Sequence, residues 1–426
     1  MLRIFLDETV EFESAFTRLC NRGDDDFSRV ELAVRAILDA VRTEGDPALL
    51  RFAERFDRRH PDPILLRDFR GEAALARLAP EHRDALELAA SRIRTFHERQ
   101  RDPGFSYELD GILLGTRVSP LARVGVYAPG GKARYPSSVL MAAIPAKVAG
   151  VPEILLATPL AGNETDDAVF AAAFLAGVTG VVDLGGAHAI GALAYGTASV
   201  PRVDKIVGPG NHYVACAKRL VCGSVAIDGI AGPSEILVLA DRKADARVVA
   251  ADLLSQAEHD EAAYPLLVCL SESTAKAVSR EIEIQLASLP RQPIARVSIE
   301  RNGYALVVPS RERLASVANA LAVEHLALHV ARPEDLLAQI PRAGAAFVGS
   351  CTPEAAGDYL AGPSHVLPTG GAVRFGGPLG VYDFVTRTSV IRYSPQALAA
   401  HAGAITAFAR LEGLEGHARA VEARIK

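Results

Sequence analysis

Two side chains in the stretch ADLLSQAEHDE have the types and the spacing of metal ligands. Gln256 and His259 lie three residues apart, so a helix through this stretch would project both from one face. An amide oxygen and an imidazole on one face can hold a metal ion. A lone Q-x-x-H is more often an ordinary surface pair, and both interpretations stay open at this point.

A second candidate lies in GDYLAGPSH, where Asp358 sits in a predicted glycine-flanked loop close to His365. A carboxylate and an imidazole near one turn could bind zinc or manganese, or could simply cap the turn. Near the C terminus, Glu412 and His417 lie five residues apart in EGLEGHA. Their spacing alone says little about their role.

Glu324 and His325 are adjacent between an apolar helical stretch and the predicted strand HLALHV. Neighbours at a helix-to-strand junction can both face a cleft, where a carboxylate and an imidazole would form an acid–base pair. A solvated junction without a chemical role is an equally good explanation of the same two residues.

Glycine-rich turns follow several predicted strands, at LGGAHAIG (184–191) and VGPGN (207–211). Glycine lets the backbone approach a pyrophosphate, and a following helix N-terminus offers N–H donors. No turn matches G-x-G-x-x-G, so ordinary strand-to-helix turns remain the commoner explanation.

The elements that must position these residues follow from hydrophobic periodicity. The first hundred residues predict helices, for example SRVELAVRAILDAVRTEG. From about residue 122, β-branched runs alternate with alanine-rich helical stretches in two successive series, which is typical of βαβ units and parallel sheets. The last fifty residues again predict helix. We therefore expect an α/β protein with two incomplete Rossmann-like units and small helical segments at both ends.

Composition excludes several classes of protein. The chain is 49% hydrophobic, which rules out disorder as its main state. Its 46 basic and 51 acidic residues are mixed along the chain, so we expect no nucleic-acid partner. No apolar run approaches the ~18 residues that span a bilayer, so we expect no membrane anchor. Five scattered cysteines, mostly in apolar runs, indicate buried thiols in a reduced, cytoplasmic protein.

The motifs taken together resemble one family. The chain contains, in order, IVGPGN, AGPSEILVLAD, LLSQAEHD, EHLAL, GDYLAGPSHVLPTGG, YDFVTRTS and EGLEGHA. This series closely resembles histidinol dehydrogenase over essentially the whole length. The resemblance implies oxidation of L-histidinol to L-histidine through L-histidinal, with two NAD⁺ reduced, as the last step of histidine biosynthesis.

The resemblance also implies roles for individual residues. Glu324 and His325 would be the acid–base residues. The zinc ligands would be Gln256, His259, Asp358 and His417, with substrate nitrogens completing the shell. Substrate contacts would include Ser234, His365 and Glu412, and the NAD contacts would be Tyr127, His188 and Asn211.

The chain departs from the family pattern at two places. His188 stands where the family pattern has glutamine, and its ring presents hydrogen-bonding atoms in a different geometry. Val323 and Ala327 flank the Glu324–His325 pair where the family usually has proline and an acid. Neither neighbour performs chemistry, so the pair is expected to work as in the family.

Residue chemistry suits the two oxidation steps. His325 is the natural base for the alcohol proton, and Glu324 can activate the water that hydrates the aldehyde. Because the cysteines are expected to be buried, we favour this hydrate route over a cysteine thioester. Zinc would anchor and orient the substrate.

The resemblance implies a homodimer whose C-terminal segment reaches into the partner's site. The predicted domains are a helical segment (1–22), a larger α/β domain with the zinc and acid–base residues (23–126 and 236–378), a second α/β domain on the NAD side (127–235) and a helical tail (379–426). Two alternatives remain: a paralogue that oxidises another small amino or sulfonated alcohol with NAD, and a non-catalytic protein that binds zinc and a nucleotide.

Overall fold

Two six-stranded, largely parallel sheets organise the chain and confirm the predicted α/β fold with two Rossmann-like units. The computed structural model describes residues 1–23, 27–130 and 135–425. Among these residues, no helix combines the length and the apolar character needed to cross a membrane.

The first sheet, here called sheet A, is formed by both the N-terminal residues and the second predicted series. Its strands are β1 (Arg3–Leu6), β10 (Glu235–Ala240), β11 (Tyr264–Cys269), β12 (Tyr304–Val307), β13 (His325–His329) and β14 (Ala345–Val348). Its helices are α1 (Val10–Cys20), α10 (Ala246–Ala257), α11 (Glu272–Leu286), α12 (Gln292–Asn302), α13 (Arg311–Leu321), α14 (Pro333–Leu337) and α15 (Glu354–Tyr359).

All neighbouring strands of sheet A are parallel, in the order β1-β12-β11-β10-β13-β14. Successive residues of β10 pack into two separate cores, with Leu237 and Leu239 on one face and Ile236 and Val238 on the other. A parallel sheet covered on both faces gives the continuous apolar strands that the sequence shows.

The second sheet, sheet B, is built from the first predicted series. Its strands are β2 (Leu65–Leu66), β5 (Arg123–Tyr127), β6 (Glu153–Ala157), β7 (Gly180–Val182), β8 (Lys205–Val207) and β9 (Ala226–Ile227). Its helices are α2 (Ser28–Glu44), α3 (Asp46–Asp57), α4 (Gly71–Arg77), α5 (Pro80–Glu98), α6 (Pro136–Ala149), α7 (Asp167–Ala176), α8 (Gly186–Tyr195) and α9 (His212–Val221). The order is β2-β7-β6-β5-β8-β9, and only the short edge strand β2 is antiparallel to its neighbour.

A small antiparallel sheet links the chain's C-terminal part to residues 105–120. It contains β3 (Phe105–Leu109), β4 (Ile112–Pro120) and β15 (Val385–Tyr393) in the order β15-β4-β3. The tail continues as α16 (Pro395–Leu411) and α17 (Glu415–Glu422), which pack against each other. The predicted helical tail therefore begins with a strand.

The packing differs from the predicted domain boundaries. Residues 1–22 are not a separate helical segment, because β1 pairs with β12 and Phe12 is buried in the core of sheet A. The helices of residues 23–126 pack on sheet B and not on sheet A, where the prediction placed them. Leu38 of α2 and Phe52 of α3 belong to the core on one face of sheet B. Ile93 of α5 belongs to the core on the other face of the same sheet. Periodicity shows which helix face is apolar, but not which sheet covers it.

Candidate functional site

The predicted acid–base residues lie at the amino end of β13 in sheet A, beside the amino end of the neighbouring strand β10. Glu235 begins β10, His325 begins β13, and Glu324 directly precedes β13. The two strands pair in parallel, with Ile236 opposite His325. Ligands of open α/β sheets usually bind at the carboxyl ends of the strands, so this site occupies the opposite edge.

The Glu324 side chain is buried and bound to the backbone of the neighbouring strand. Its Oε2 accepts a hydrogen bond of 2.9 Å from the backbone N–H of Glu235. Burial, followed by the negative charge of Glu235, raises the pKa of Glu324 well above its ordinary value. The solvated-junction alternative is therefore wrong, and Glu324 is a carboxyl group with increased affinity for a proton.

The His325 ring is oriented by the same neighbour. Its Nδ1 lies 2.9 Å from the carbonyl oxygen of Glu235, so Nδ1 carries the proton and Nε2 presents a lone pair. Burial lowers the pKa of His325 to about 4, which keeps the ring neutral near pH 7. Within the described part of the chain, the buried Nε2 has no hydrogen-bond partner. His325 is thus prepared to accept a proton at Nε2.

Two carboxyl groups of α15 face the His325 ring. Glu354 Oε1 lies 3.4 Å from Nδ1 of His325, and Asp358 Oδ1 lies 4.0 Å from its Nε2. Burial, with the charges of Asp358 and Glu324, raises the pKa of Glu354, and burial raises the pKa of Asp358 to about 6. Asp358 lies in a short helix and not in the predicted loop.

Glu354 is a site residue that the sequence analysis missed. It stands four residues before Asp358, the spacing that places two side chains on one helix face. That signal was available, but it required the expectation of a helix at residues 354–359. A predicted glycine-flanked loop gives no such relation between the two carboxylates.

Gln256 and His259 lie at the end of α10 and differ in burial. The helix ends at Ala257, so the predicted common helix face does not extend to His259. Gln256 is buried, and among the described residues its Oε1 has no hydrogen-bond partner. His259 is open to solvent on one side, while the protein around the rest of its ring lowers its pKa.

His365 completes the group around Asp358. Its Nδ1 lies 3.0 Å from the carbonyl oxygen of Asp358, and burial lowers its pKa to about 4. The charge of His259 also lowers the pKa of His365 and of His325, so His259 lies close enough to both rings for its charge to act on them. The structure therefore brings together predicted residues from four separate segments.

The donor set suits a divalent metal. Among the described residues, the one cluster of histidine and acidic side chains with the spacing of metal ligands is formed by His325, Glu354 and Asp358, whose ligand atoms all lie within 4.8 Å of one another. In the described part of the chain, the buried Oε1 atoms of Gln256 and Glu354 have no hydrogen-bond partner, and a cation would satisfy them. Mixed nitrogen and oxygen ligands are typical of zinc and manganese.

The remaining predicted site residues lie apart from this cluster. His417 is exposed on α17, and Glu412 is the exposed residue that directly follows α16. Neither joins the described ligand cluster within this chain. Ser234 is half-buried and directly precedes Glu235, and its carbonyl accepts from the Tyr264 backbone.

Two of the three predicted NAD residues lie at the carboxyl edge of sheet B. Tyr127 ends β5 and Asn211 follows β8, the neighbouring strand. From β5 the chain continues to β6 on one side, and from β8 it continues to β9 on the other side. Such a topological switch point is where doubly wound folds bind ligands. A Cβ at Gly208 would collide with the carbonyl oxygen of Tyr127, and its φ is +111°, so the turn requires glycine.

Hydrogen bonds fix both residues at this edge. The Tyr127 hydroxyl accepts from the backbone N–H of Gly186 at 3.0 Å, and burial raises the pKa of Tyr127 to about 12. The Asn211 side-chain oxygen caps α9 by accepting from the N–H groups of Tyr213 and Val214. Among the described hydrogen bonds, none uses the amide N–H₂ of Asn211.

Comparison with known proteins shows the family. The histidinol dehydrogenase family model matches residues 20–425. The chain belongs to the histidinol dehydrogenase family. The histidinol dehydrogenase of Geobacter sulfurreducens is 48% identical over 427 residues, which cover 99% of this chain and all of the relative. That of Pseudomonas syringae pv. syringae is 51% identical over 401 residues, with 93% of this chain and 89% of the relative covered.

Solved structures agree with this assignment. The crystal structure of histidinol dehydrogenase from Elizabethkingia anophelis superposes with a TM-score of 0.93 at 33% identity, covering 99% of this chain and 98% of the other. An acetylating aldehyde dehydrogenase from Geobacillus thermoglucosidasius reaches a TM-score of 0.50 at 15% identity, covering 90% of this chain and 96% of the other, and shares only the fold.

Both departures from the histidinol dehydrogenase pattern are buried. Val323 and Ala327 belong to the two cores of sheet A, where an apolar side chain at position 327 replaces an acid without leaving a buried charge. His188 lies on α8 and packs against the rings of Phe52 and Phe56, at centroid distances of 6.0 and 6.1 Å. Neither nitrogen of His188 has a hydrogen-bond partner in the described part of the chain.

We expect His188→Gln to change the Michaelis constant for NAD by a few fold, about the effect of one neutral hydrogen bond or ~1 kcal/mol, and to leave that for histidinol unchanged. Burial lowers the pKa of His188 to about 4, so below pH 6.5 the unfolded chain takes up the proton first. The wild type should therefore lose stability relative to the variant as the pH falls from 6.5 towards 4. Steady-state kinetics and thermal melts test both, and an unchanged NAD constant would make His188 a packing residue.

The cysteines are less buried than predicted. Cys216 and Cys269 are buried, but Cys222 and Cys351 are exposed. The described hydrogen bonds and ion pairs of Glu324 and His325 include no thiol. We therefore base the preference for a hydrate route on the described contacts of Glu324 and His325. General burial of the thiols does not support it.

Proposed function

We propose that the chain oxidises L-histidinol to L-histidine through L-histidinal, with one hydride transferred to NAD⁺ in each of two steps. The observation that supports this most is the neutral His325 ring, whose Nδ1 is bound to the Glu235 carbonyl and whose Nε2 faces Asp358. A neutral imidazole held in one tautomer is the group that alcohol oxidation requires.

In the first step, His325 removes the hydroxyl proton of histidinol at Nε2. The hydrogen bond from Nδ1 to the Glu235 carbonyl stabilises the cation that results, as does the nearby Glu354 carboxyl group. Bound NAD⁺, held by the residues at the carboxyl edge of sheet B, would supply the acceptor for the hydride. His325 can release its proton afterwards through the carboxyl groups that surround it.

In the second step, Glu324 deprotonates the water that adds to the aldehyde. A carboxylate with a raised pKa is a stronger base than an exposed one, and the N–H of Glu235 fixes the position of its Oε2. The hydrate then loses its hydroxyl proton to His325. The same two residues thus serve both oxidations.

The metal set that we propose is Gln256, His259, Asp358 and His417 of the partner subunit. Zinc, when bound, would anchor the amino and imidazole nitrogens of the substrate and so fix the carbinol carbon near His325. The Oε1 of Gln256, which has no hydrogen-bond partner among the described residues, supports this set, as does the charge of His259, which acts on the pKa of His365 beside the Asp358 carbonyl. Ser234 and His365 of this chain, together with Glu412 of the partner subunit, would hold the rest of the substrate.

For NAD we propose the switch point of sheet B, with Tyr127, His188 and Asn211 as its contacts. The Asn211 amide N–H₂, which has no partner in the described hydrogen bonds, and the topological switch point at the carboxyl ends of β5 and β8 support this placement. His188 is buried against two phenyl rings, so its contact has less structural support than those of Tyr127 and Asn211. A cytoplasmic location stays a prediction.

A homodimer would explain the apolar surface of the antiparallel sheet and the tail. Phe105, Tyr107 and Leu109 alternate along β3 and are 63%, 51% and 59% exposed, and Leu411 of α16 is 82% exposed. Exposed apolar patches of this kind mark interfaces. A partner placed there could receive α17 in its own site, which would bring His417 to Asp358 of the other chain.

The assay that tests the proposal measures NADH formed from L-histidinol and NAD⁺ by the purified chain. We expect two NADH per histidinol consumed and histidine as the product. Absence of NADH formation with zinc present would contradict the proposal, and release of histidinal as the end product would contradict its second step.

Removal of the metal should abolish turnover and leave the fold largely intact. The proposed ligands come from separate segments of a chain that has its own large cores, unlike a small domain that folds only around its metal. Activity and thermal unfolding are measured before and after chelation, and zinc is then added back. Full activity after verified zinc removal, or loss of the cooperative transition, would contradict the anchoring role.

A further inference from the structure

A buried ion pair, Arg22–Glu235, lies next to the acid–base residues. The side chains of Arg22 and Glu235 are each 1% exposed. Arg22 donates from Nε to Oε1 of Glu235 at 2.9 Å and from Nη2 to Oε2 at 2.6 Å. This two-pronged geometry fixes the position and the orientation of the carboxylate.

Glu235 contacts both acid–base residues through its own atoms. Its N–H donates to Oε2 of Glu324, its carbonyl faces Nδ1 of His325, and its Oε2 lies 3.4 Å from the backbone nitrogen of Glu324. Its Oε1 also accepts from the Gly370 N–H at 2.7 Å, in the segment that carries His365. One residue therefore connects three parts of the site.

Arg22 extends these connections to the chain that leads into Glu324. Its Nη1 donates to two backbone carbonyls, that of Leu321 at 2.8 Å and that of Leu19 in α1 at 2.8 Å. Leu321 ends α13, and only two residues separate it from Glu324. The Arg22 guanidinium group thus connects the N-terminal segment to the site.

We propose that Arg22 and Glu235 are positioning residues that hold Glu324 in place for the aldehyde step. This inference rests on the proposed function, because Glu324 is given its role there. His325 depends less on the pair, since it is held by the backbone carbonyl of Glu235 and also faces Glu354. Loss of the pair should therefore affect the two oxidation steps unequally.

The test uses the full-length, zinc-loaded protein with the double variant Arg22→Met/Glu235→Gln. Removing both charges together avoids leaving one of them buried and unpaired. We expect oxidation of supplied histidinal to slow by roughly ten- to a hundredfold, the effect of a hydrogen bond to a charged group. The first NADH formed from histidinol, followed by rapid mixing, should slow much less, and the Michaelis constant for histidinol should hardly change.

A matched control removes a second ion pair of the same N-terminal segment. Arg313 of α13 contacts Asp7 through two hydrogen bonds of 3.0 Å, so this pair also joins the segment to that helix. Neither residue contacts Glu324 or Glu235 in the described hydrogen bonds and ion pairs. Arg313→Met/Asp7→Asn should therefore leave the ratio of the two rates as in the wild type.

Arg22→Lys provides a graded version, because lysine keeps the charge but loses the fork of the guanidinium. We expect an intermediate change in the same ratio. A wild-type ratio in the folded double variant overturns the proposal, as does an equal change in the control. If the double variant does not fold, a wild-type ratio in Arg22→Lys overturns it and a changed ratio supports it.

Failure of the proposed function would look different. It would show as no NADH from histidinol in the wild type, or as undisturbed histidinal oxidation in Glu324→Gln. Failure of the positioning role leaves both of those results as expected.

Discussion

Glu324→Gln should slow histidinal oxidation by about 10²- to 10⁴-fold, the usual contribution of a general base. The amide oxygen of glutamine can still accept from the Glu235 N–H, so the variant removes the charge and keeps the hydrogen bond. Oxidation of the alcohol needs no water to be deprotonated and should be much less affected. Histidinal and histidinol are supplied separately, and NADH formation is followed by rapid mixing.

His325→Asn is the comparison for this experiment. It should slow both oxidations, because His325 accepts a proton in each of them. Equal losses for Glu324→Gln on the two substrates would remove the distinct role of Glu324. A His325→Asn variant that oxidises histidinol normally would remove the role of His325 as the base.

Mixing His259→Ala with His417→Ala should restore activity to about a quarter of all sites, although each variant alone is nearly inactive. If the sites are shared, one site of a mixed dimer receives both substituted residues. The other site receives both wild-type residues, His259 and His417. Random pairing after joint unfolding and refolding makes about half of the dimers mixed. Activity is measured before and after mixing, with mixed dimers identified by two affinity tags.

The matched control mixes His259→Ala with Asp358→Ala. Both residues lie in the sheet A unit of one chain, so each site of a mixed dimer still lacks one of them, and mixing should restore nothing. Absence of recovery in the first mixture, with mixed dimers present, would place His417 in the site of its own chain. The proposed zinc ligands could then remain correct while the shared site would be wrong.

Several site residues could be predicted from local sequence. Glu324 and His325 stand at the junction of α13 and β13, as the change from helical to strand periodicity indicated. The motif series was specific enough to indicate the family, which the comparisons confirm. The alternation of strands and helices predicted two parallel sheets, because a parallel connection needs a crossover helix.

Other site features could not be derived from local patterns. Arg22 and Glu235 are separated by 213 positions, so no periodicity links the two residues. Glu354 is likewise far from Glu235 along the chain. The end of α10 at Ala257 and the helix at Asp358 were also misjudged, since helix termini depend on a few weak interactions.

The sequence by itself determined the alternation of strands and helices in the two parallel sheets, the family and the identity of the chemical groups, because these depend on side-chain types and short-range spacing. Only the tertiary structure decided which sheet covers α2, α3 and α5, and that the acid–base residues lie at the amino edge of sheet A. It also decided that Glu324 and His325 are buried, which sets their proton affinities. Burial and charge proximity are properties of neighbours that are distant along the chain, and a single segment does not contain them.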